Sequence, residues 1–332
     1  MSAVRTPGRR ALAALVALIA LGTSTGCGGG GPARSDTGRT AAGFPVRIDN
    51  CGVTTTYRRP PTRAVTLNQH TTEIMLALGL ERSMVGTAYL DDRILPEYRG
   101  AYGRIKVLAG EYPSYETLLA AEPDFVYGGF TSAFADKDGR GRGTLAKAGI
   151  NSHLSVESCP NGPVTVETVD AEIRAIAQIF GVRDRGEQVV ARMRTTLEGV
   201  RKRVAGVRPP KVFVYDSGDK TAFTAGGGGV GSDLIRRAGG TNVFGDLPKA
   251  FGDVSFEQVA ERAPDVVVIY DYGRTTVEEK KRFLLGNPAL KDVPAIRDRR
   301  FAVLPLSSTV LGVRVPGAVE SLARQLHPER FR

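Results

Sequence analysis

Residues 114–128, SYETLLAAEPDFVYG, and residues 255–270, SFEQVAERAPDVVVIY, carry the same local pattern at two distant points of the chain. In both stretches a serine is followed by an aromatic residue and a glutamate, and a Pro-Asp pair begins seven positions after the glutamate. Serine is a preferred helix N-cap, and the proline ends the short helix before an apolar strand begins. A helix–strand unit that recurs at this spacing predicts two lobes of like architecture, with Glu116 exposed on one and Glu257 on the other.

The chain around the first copy alternates short apolar strands with helices. The strands are predicted at residues 64–67, 84–87, 124–127 and 150–154. The helices are predicted at residues 71–78, with Thr71 or Thr72 as N-cap, at 116–121 and at 144–148. Short strands that alternate with helices predict a mostly parallel sheet.

A helical stretch separates the two copies, and the second copy repeats the alternation. Apolar residues at helical spacing predict a helix over residues 166–180. A capping box of Asp184 and Glu187 predicts another helix up to about Ala205. Some 20 residues span about 30 Å as a helix, which suits a rod between two lobes. The second lobe is predicted to have strands at 212–215, 266–270 and 301–304 and helices at 234–238, 256–262 and 321–326.

The N-terminal residues are typical of a secretory leader. Three arginines precede a short apolar stretch, residues 11–21, and small residues then lead to Cys27. This pattern predicts a signal peptide (1–26), lipidation of Cys27 and a flexible tether (27–45). Ser24 stands where a lipidation motif usually has an aliphatic residue, so simple cleavage or twin-arginine export stays open. The lobes are then predicted at 46–165 and 209–332, with a helical region at 166–208 between them.

Composition narrows the classes of function. The 332 residues include 45 Lys and Arg against 35 Asp and Glu, a net charge of +10, yet no dense basic run is interleaved with aromatic residues. Nucleic acid is therefore not an expected partner. The three histidines do not have the spacing of a zinc site. Cys51 and Cys159 are expected to form a disulfide in an exported protein, with two free buried thiols as the alternative.

Taken in order, these segments resemble a known family. The segments are RAVTL (63–67), TEI (72–74), ALGL (77–80), VGT (85–87), both Ser-aromatic-Glu units, the stretch from Leu234 through AGGTNVF (238–244), and NP (287–288) leading to the strand at Arg300-Phe301. They are similar to the ferric-siderophore, haem and cobalamin binding proteins of ABC importers. The resemblance implies an α/β fold of two Rossmann-like lobes with mostly parallel sheets, joined by one long rigid helix, with the ligand held between the lobes.

The resemblance also implies a function. The protein would be a monomeric lipoprotein on the outer face of the cytoplasmic membrane, attached by its lipid alone. It would capture a metal chelate, foremost a ferric siderophore, with no covalent cofactor, and deliver it to an ABC permease and its ATPase. Haem and cobalamin are the alternatives within the family. Glu116 and Glu257 match the family's permease-docking pair, although helix-dipole stabilisation alone also explains an acidic first turn.

Ligand contacts are expected on the loops that follow the strands, where parallel sheets bind their ligands. The candidates are Asn68, Gln69, His70, Tyr89, Asp92, Tyr112, Phe130 and Phe134 in the first lobe, and Ser217, Phe223, Tyr272, Arg274, Ser308 and Arg314 in the second.

Among these candidates, the aromatic residues suit a macrocyclic or aromatic ligand, and the two arginines suit an anionic chelate. His70 is a candidate metal ligand for haem iron or cobalt, or else a hydrogen-bonding pocket residue. A secreted α/β hydrolase and a structural or adhesive lipoprotein are the rival classes, but no nucleophile elbow or close carboxylate pair is visible.

Overall fold

The computed structural model describes residues 41–159 and 162–332. The predicted signal peptide, the lipidation site Cys27 and nearly all of the tether lie outside the described residues. No helix in the described part of the chain is long and apolar enough to cross a bilayer.

The N-terminal lobe contains a parallel five-stranded sheet and an antiparallel hairpin. Its elements in chain order are β1 (Val46–Asn50), β2 (Val53–Tyr57), β3 (Ala64–Leu67), α1 (Gln69–Ala77), β4 (Met84–Ala88), α2 (Arg99–Tyr102), β5 (Val107–Ala109), α3 (Tyr115–Ala120), β6 (Phe125–Gly128), α4 (Arg142–Lys147) and β7 (Asn151–Leu154). The sheet has the order β5-β4-β3-β6-β7, and β1 pairs with β2.

Two helices follow, α5 (Val166–Ile179) and α6 (Arg183–Arg203), before the C-terminal lobe begins. That lobe consists of β8 (Lys211–Tyr215), β9 (Ala222–Ala225), α7 (Val230–Arg237), β10 (Thr241–Asn242), β11 (Phe251–Val254), α8 (Phe256–Arg262), β12 (Val266–Asp271), α9 (Val277–Gly286), α10 (Pro294–Arg297), β13 (Phe301–Pro305) and α11 (Val315–Leu326). Its parallel sheet has the order β10-β8-β12-β13, and β9 pairs antiparallel with β11.

The two sheets are separate. In each of them the chain first adds strands on one side of the starting strand and then changes once to the other side. In the N-terminal lobe the chain adds β4 and β5 on one side of β3 and β6 and β7 on the other, so the switch point lies between β3 and β6. In the C-terminal lobe the corresponding switch point lies between β8 and β12. Loops diverge at such a point and leave a crevice outside the carboxyl ends of the strands. This topology confirms the predicted α/β class with two Rossmann-like lobes.

One hydrophobic core runs through both lobes, and each lobe has a second core of its own. The shared core joins one face of each sheet to α5, α6 and α11. The outer faces pack separately, around Phe213 in the C-terminal lobe and around Val126 in the N-terminal lobe. Since α6 has 21 residues, it is about 30 Å long and can act as the predicted rod.

The repeated serine caps are present as predicted. The Ser114 side chain accepts a hydrogen bond from the Thr117 amide at 3.1 Å, and the Ser255 side chain accepts one from the Gln258 amide at 3.2 Å. The predicted disulfide also forms, between Cys51 after β1 and Cys159 beyond β7, across 108 residues of sequence.

Several predicted helix starts were wrong. Helix α1 begins at Gln69 rather than Thr71, and the hydroxyls of Thr71 and Thr72 donate to the Asn68 carbonyl instead of capping amides. Helix α6 begins at Arg183 without a side-chain cap, because Glu187 pairs with Arg174 on α5.

The C-terminal lobe also differs from its prediction. Helices α7 and α11 begin four and six residues earlier than expected, at Val230 and Val315. Across the two lobes, both hairpins, α2, β5, β10, α9 and α10 were not predicted. The hairpin strands are short, and much of β2 is polar and exposed, so their apolar periodicity is weak.

Candidate functional site

The N-terminal switch point is built around Asn68, the residue that follows β3. Its backbone has φ 95° and ψ 152°, a region that residues with a side chain rarely adopt. Its buried side-chain oxygen Oδ1 accepts hydrogen bonds from the Gly129 amide after β6 and from the Tyr112 hydroxyl, each at 3.1 Å. One strained residue therefore ties together the two loops that flank the switch point, which is where the fold places a ligand.

Two tyrosines form an aromatic surface beside Asn68. Tyr89 follows β4 with a left-handed backbone, φ 62°, and its ring stacks on Tyr112 with centroids 4.7 Å apart. Arg140, which is 4% exposed, lies 5.4 Å from the Tyr112 centroid and donates to the carbonyls of Ala133 and Pro113. Because the Arg140 guanidinium is fixed by backbone acceptors, it holds the Tyr112 ring in place.

The C-terminal switch point has its own hydrogen-bonded group. Tyr272, after β12, donates to the carboxylate of Asp216, which follows β8. The Lys280 ammonium donates to the carbonyls of Asp216 and Tyr270 at 2.6 Å each and lies 4.6 Å from the Tyr272 centroid. Burial raises the pKa of Tyr272 to about 12, so its hydroxyl stays protonated and can donate.

The carboxyl ends of the two sheets face each other, because the segment after β13 contacts loops of the N-terminal lobe. The Arg314 guanidinium forms two hydrogen bonds with the Glu73 carboxylate, at 2.6 and 2.7 Å. The Leu311 amide donates to Glu157 at 2.6 Å. The contacts between the lobes thus lie beyond the carboxyl ends of both sheets, on the side where the two switch points lie.

Two cavities lie beside the switch points. One, of about 650 Å³, is lined by Tyr112, Arg140 and Glu116 in the N-terminal lobe. The other, of about 550 Å³, is lined by Ser217 and Arg274 in the C-terminal lobe. Each has the size of an ordinary small-molecule site.

Several predicted ligand residues have their side chains engaged inside the protein. Phe134 lies in the outer core of the N-terminal lobe, against Gly128, which differs from its expected place in the cleft. Gln69 and Asp92 bond each other, and Asp92 also bonds Ser307 across the lobes. Arg314 uses four donor hydrogens within the protein, so it is not the free anion-binding group that was expected.

The remaining second-lobe candidates are more dispersed. Phe223 stacks on Phe251 at 5.4 Å within the β9–β11 hairpin. Ser308 lines a third cavity of about 570 Å³ next to α6, together with Met193 and Val313. Asn68, Tyr89 and Tyr112 are thus brought together. Ser217 and Phe223 are also adjacent, since their backbones pair beside Asp216, whereas Ser308 has other surroundings.

His70 is enclosed by both lobes. It is 2% exposed, its ring meets that of Phe130 edge-on at 5.1 Å, and Gly129 and Gly312 lie against it. Neither ring nitrogen has a hydrogen-bond partner among the described residues. Burial lowers the pKa of His70 to about 4, so the imidazole is neutral.

The His70 imidazole is buried and packed against Phe130 and Gly129, so it presents no exposed ring nitrogen to a metal. No group of three or more His, Cys, Asp or Glu residues in the described part of the chain could hold a metal ion. The other two histidines have structural partners, since His153 contacts Glu172 and His327 contacts the Gly239 carbonyl.

Sequence reasoning missed several residues that contact predicted ones across space, namely Glu73, Arg140, Asp216, Lys280 and Ser307. Asp216 could have been found, because it follows a buried strand directly, as Asn68 does. Glu73 carries no such signal, because it lies in the first turns of a helix whose partner, Arg314, is 241 residues away.

The predicted docking residues have matching surroundings. Glu116 and Glu257 are both exposed in the first turn of a helix capped by serine. Hydrogen bonds from the helix-start backbone, and from the capping serine, lower the pKa of each carboxyl, so both are charged at neutral pH.

Comparison with known proteins identifies the class. Residues 65–307, well over half of the chain, match the periplasmic binding protein family, and the chain therefore belongs to it.

Two curated relatives are similar over much of their length. An uncharacterised ABC transporter substrate-binding lipoprotein, YvrC of Bacillus subtilis, is 24% identical over 87% of this chain and 88% of its own. The vitamin B12-binding protein of Yersinia pestis is 27% identical over 62% of this chain and 69% of its own.

Three solved structures share the fold. A periplasmic binding protein from Veillonella parvula has a TM-score of 0.79 and 30% identity, covering 85% of this chain and 97% of its own. An ABC-type Fe3+-hydroxamate transport protein from Saccharomonospora viridis has a TM-score of 0.70 and 28% identity, and the match covers 87% of this chain and 99% of its own. The haem-binding protein RhuT from Roseiflexus has a TM-score of 0.66 and 25% identity, and the match covers 81% of this chain and 98% of its own.

Proposed function

We propose that this protein is the extracytoplasmic substrate-binding lipoprotein of an ABC importer, and that it captures a ferric siderophore between its lobes. The observation that carries the proposal is the pair of hydrogen-bonded switch points, Asn68 with Tyr112 in one lobe and Asp216 with Tyr272 in the other. We propose that both line one cleft between the lobes. Relatives named for a Fe3+-hydroxamate, vitamin B12 and haem support a bulky metal chelate as ligand.

The charges near the aromatic surface favour a neutral or cationic chelate. Asp91 and Asp92 are adjacent there, and burial, with Asp92 adding to it, raises the pKa of Asp91. The Arg314 charge is balanced by Glu73, and Arg274 alone among the predicted ligand residues is a basic group without an ion pair in the described structure. A trianionic catecholate would meet repulsion, so a hydroxamate is the siderophore class that fits best.

A binding panel tests this proposal. Ferrioxamine B, a cationic ferric hydroxamate, ferric enterobactin, a trianionic catecholate, haemin and cyanocobalamin are each added to the purified protein. The chain has no tryptophan and 10 tyrosines, so ligand binding can be followed by tyrosine fluorescence and by thermal shift. A ligand at 100 times its Kd adds about 2.7 kcal/mol of stability. We expect ferrioxamine B to stabilise the protein; binding of none of the four would contradict the proposal.

Two tyrosine variants test whether the ligand binds at the aromatic surface. Tyr112→Ala removes half of the aromatic surface and should weaken binding about tenfold or more, since one aromatic contact is worth about 1–3 kcal/mol. Tyr102→Ala on α2, away from the switch points, is the matched control and should leave the affinity unchanged. Equal effects of the two substitutions would place the ligand elsewhere.

The haem alternative depends on His70. If the protein is instead a haem carrier, haemin should give a shifted Soret band that Phe130→Ala strengthens, because Phe130 covers the imidazole. A Soret shift that survives His70→Ala would show that a different residue ligates the iron.

Glu116 and Glu257 are proposed to dock onto the permease. Two exposed carboxylates on two lobes fix orientation and add limited affinity. The double variant Glu116→Lys/Glu257→Lys should abolish uptake even when the protein is saturated with ligand. Its ligand affinity is measured separately, because Glu116 also lines the cavity beside Tyr112. The control Glu278→Lys/Glu329→Lys changes two other exposed glutamates and should keep uptake. Normal uptake by the first variant would disprove the docking role.

A further inference from the structure

Helix α1 and two loops of the N-terminal lobe hold one segment of the C-terminal lobe, residues 306–314. Glu73 in the middle of α1 binds Arg314, Asp92 after β4 binds Ser307, and Glu157 after β7 binds the Leu311 amide. These bonds connect residues that are 241, 215 and 154 positions apart in sequence, so each one crosses from lobe to lobe. We propose that these contacts form an interlobe clasp that sets the width of the cleft.

The ion pair at the centre of the clasp is well shielded. The Glu73 side chain is 1% exposed and that of Arg314 is 10% exposed. Arg314 also donates to the Ser307 hydroxyl at 3.1 Å and to the Arg93 carbonyl. A bidentate pair shielded from water is weakened little by salt and defines one relative geometry of its two elements.

The clasp adds a constraint that α6 does not provide. Helix α6 connects the lobes on one side, whereas the clasp joins them through side chains on the strand-end side. The shared core and α6 hold the lobes together on one side and the clasp holds them on the other, so the lobes cannot rotate about the helix without breaking the clasp bonds. Glu73 and Arg314 are therefore positioning residues, which act on the ligand only through the separation of the two switch points.

The close packing next to the clasp also opposes such a rotation of the lobes. Gly312 lies against His70, and a Cβ added at Gly312 would be 3.1 Å from the His70 Cβ. The backbone of the clasp segment thus fits directly against the first turn of α1. This close fit agrees with a fixed, preformed cleft that selects ligands by size.

The test measures the distance between the lobes without any ligand, so it does not depend on the identity of the chelate. Spin labels are attached at Lys147 on α4 and Glu278 on α9, both exposed, in the full chain with Cys27 replaced by serine. Pulsed electron paramagnetic resonance then gives the distribution of interlobe distances. The wild-type clasp should give a single narrow distribution.

The variants change both partners together, because removing one alone leaves an uncompensated buried charge. Glu73→Ala/Arg314→Ala should give a broader distribution, with a mean shifted by several ångströms. The control pair Glu187→Ala/Arg174→Ala removes a bidentate ion pair between α5 and α6 and should leave the distribution narrow.

If the double alanine variant does not fold, Arg314→Lys is used in its place. This substitution keeps the charge but loses the bidentate hydrogen bonds to Glu73. It should broaden the distribution by a smaller amount. A broad wild-type distribution would overturn the clasp. A folded double variant or Arg314→Lys variant as narrow as the wild type would do so too.

Discussion

Glu157 should make the stability of the protein depend on pH near neutrality. Its carboxylate lies after β7 and accepts a hydrogen bond from the Leu311 amide at 2.6 Å. Burial raises the pKa of Glu157 from 4.5 to about 7; the Leu311 hydrogen bond opposes this shift and the neighbouring Glu172 adds to it. The perturbation to make is Glu157→Gln, which keeps an oxygen acceptor for the amide and removes the charge.

The direction of the effect follows from which state holds the proton. Between about pH 4.5 and 7 the folded protein keeps the Glu157 proton that the unfolded chain has lost, so stability falls as pH rises through this window. Above pH 7 the full penalty of a buried charge is present. A shift of this size is worth roughly 3 kcal/mol, at about 1.4 kcal/mol per unit. The glutamine variant should therefore gain roughly this amount relative to wild type at pH 8 and nothing at pH 4.5.

Urea unfolding of both proteins from pH 4.5 to 8 measures the difference. His70, whose pKa is lowered to about 4, has the opposite effect, because the folded state must lose stability as the pH falls below 6.5. This contribution is present in both proteins and cancels in the difference. Glu329→Gln, at an exposed glutamate, is the control and should show no pH-dependent gain. A constant difference between Glu157→Gln and wild type across the range would refute the reasoning.

Four further variants test helix packing, the disulfide and a buried hydrogen bond. Gly186→Ala on α6 places a Cβ 2.6 Å from an alanine side chain of α5 and should cost about 1–3 kcal/mol in urea unfolding, whereas Gly199→Ala on the same helix meets no atom within 4 Å and should gain up to about 1 kcal/mol. Cys51→Ala/Cys159→Ala should cost about 2–4 kcal/mol, and the oxidised wild type should show neither thiol in titration; a titratable pair would exclude the bond. Tyr127→Phe removes the hydroxyl that donates to a buried carboxylate at 2.6 Å and should cost about 1–3 kcal/mol; an unchanged midpoint would mean that the carboxylate has another donor.

Local patterns predicted the parts of the fold that depend on near neighbours. The two serine-capped helices and the buried strands after them were located from residues within about ten positions of one another. The rod between the lobes was also predicted. Its capping box did not form, because Glu187 forms an ion pair with Arg174 on the adjacent helix. Element ends were less accurate, since the start of a helix depends on which of several competing hydrogen bonds forms.

The candidate site was predicted in part, for the same reason. Loops after parallel strands meet at one edge of a sheet, so the position of Asn68, Tyr89 and Tyr112 followed from strand order alone. The ion pair of Arg314 with Glu73 could not be predicted in this way, because free and paired arginines look alike in sequence. Phe134 was misplaced on similar grounds, since an aromatic residue shortly after a strand can pack into the core or face the cleft.

By itself, the sequence determined two α/β lobes, their helical connection and the pair of exposed glutamates, because each rests on short-range periodicity, capping or a repeated motif. Only the tertiary structure decided which charges are balanced within the protein, which loop holds which lobe, and that Asn68 has a strained backbone. Those features depend on contacts between residues up to 241 positions apart, and a linear pattern does not specify which distant partner a side chain will meet.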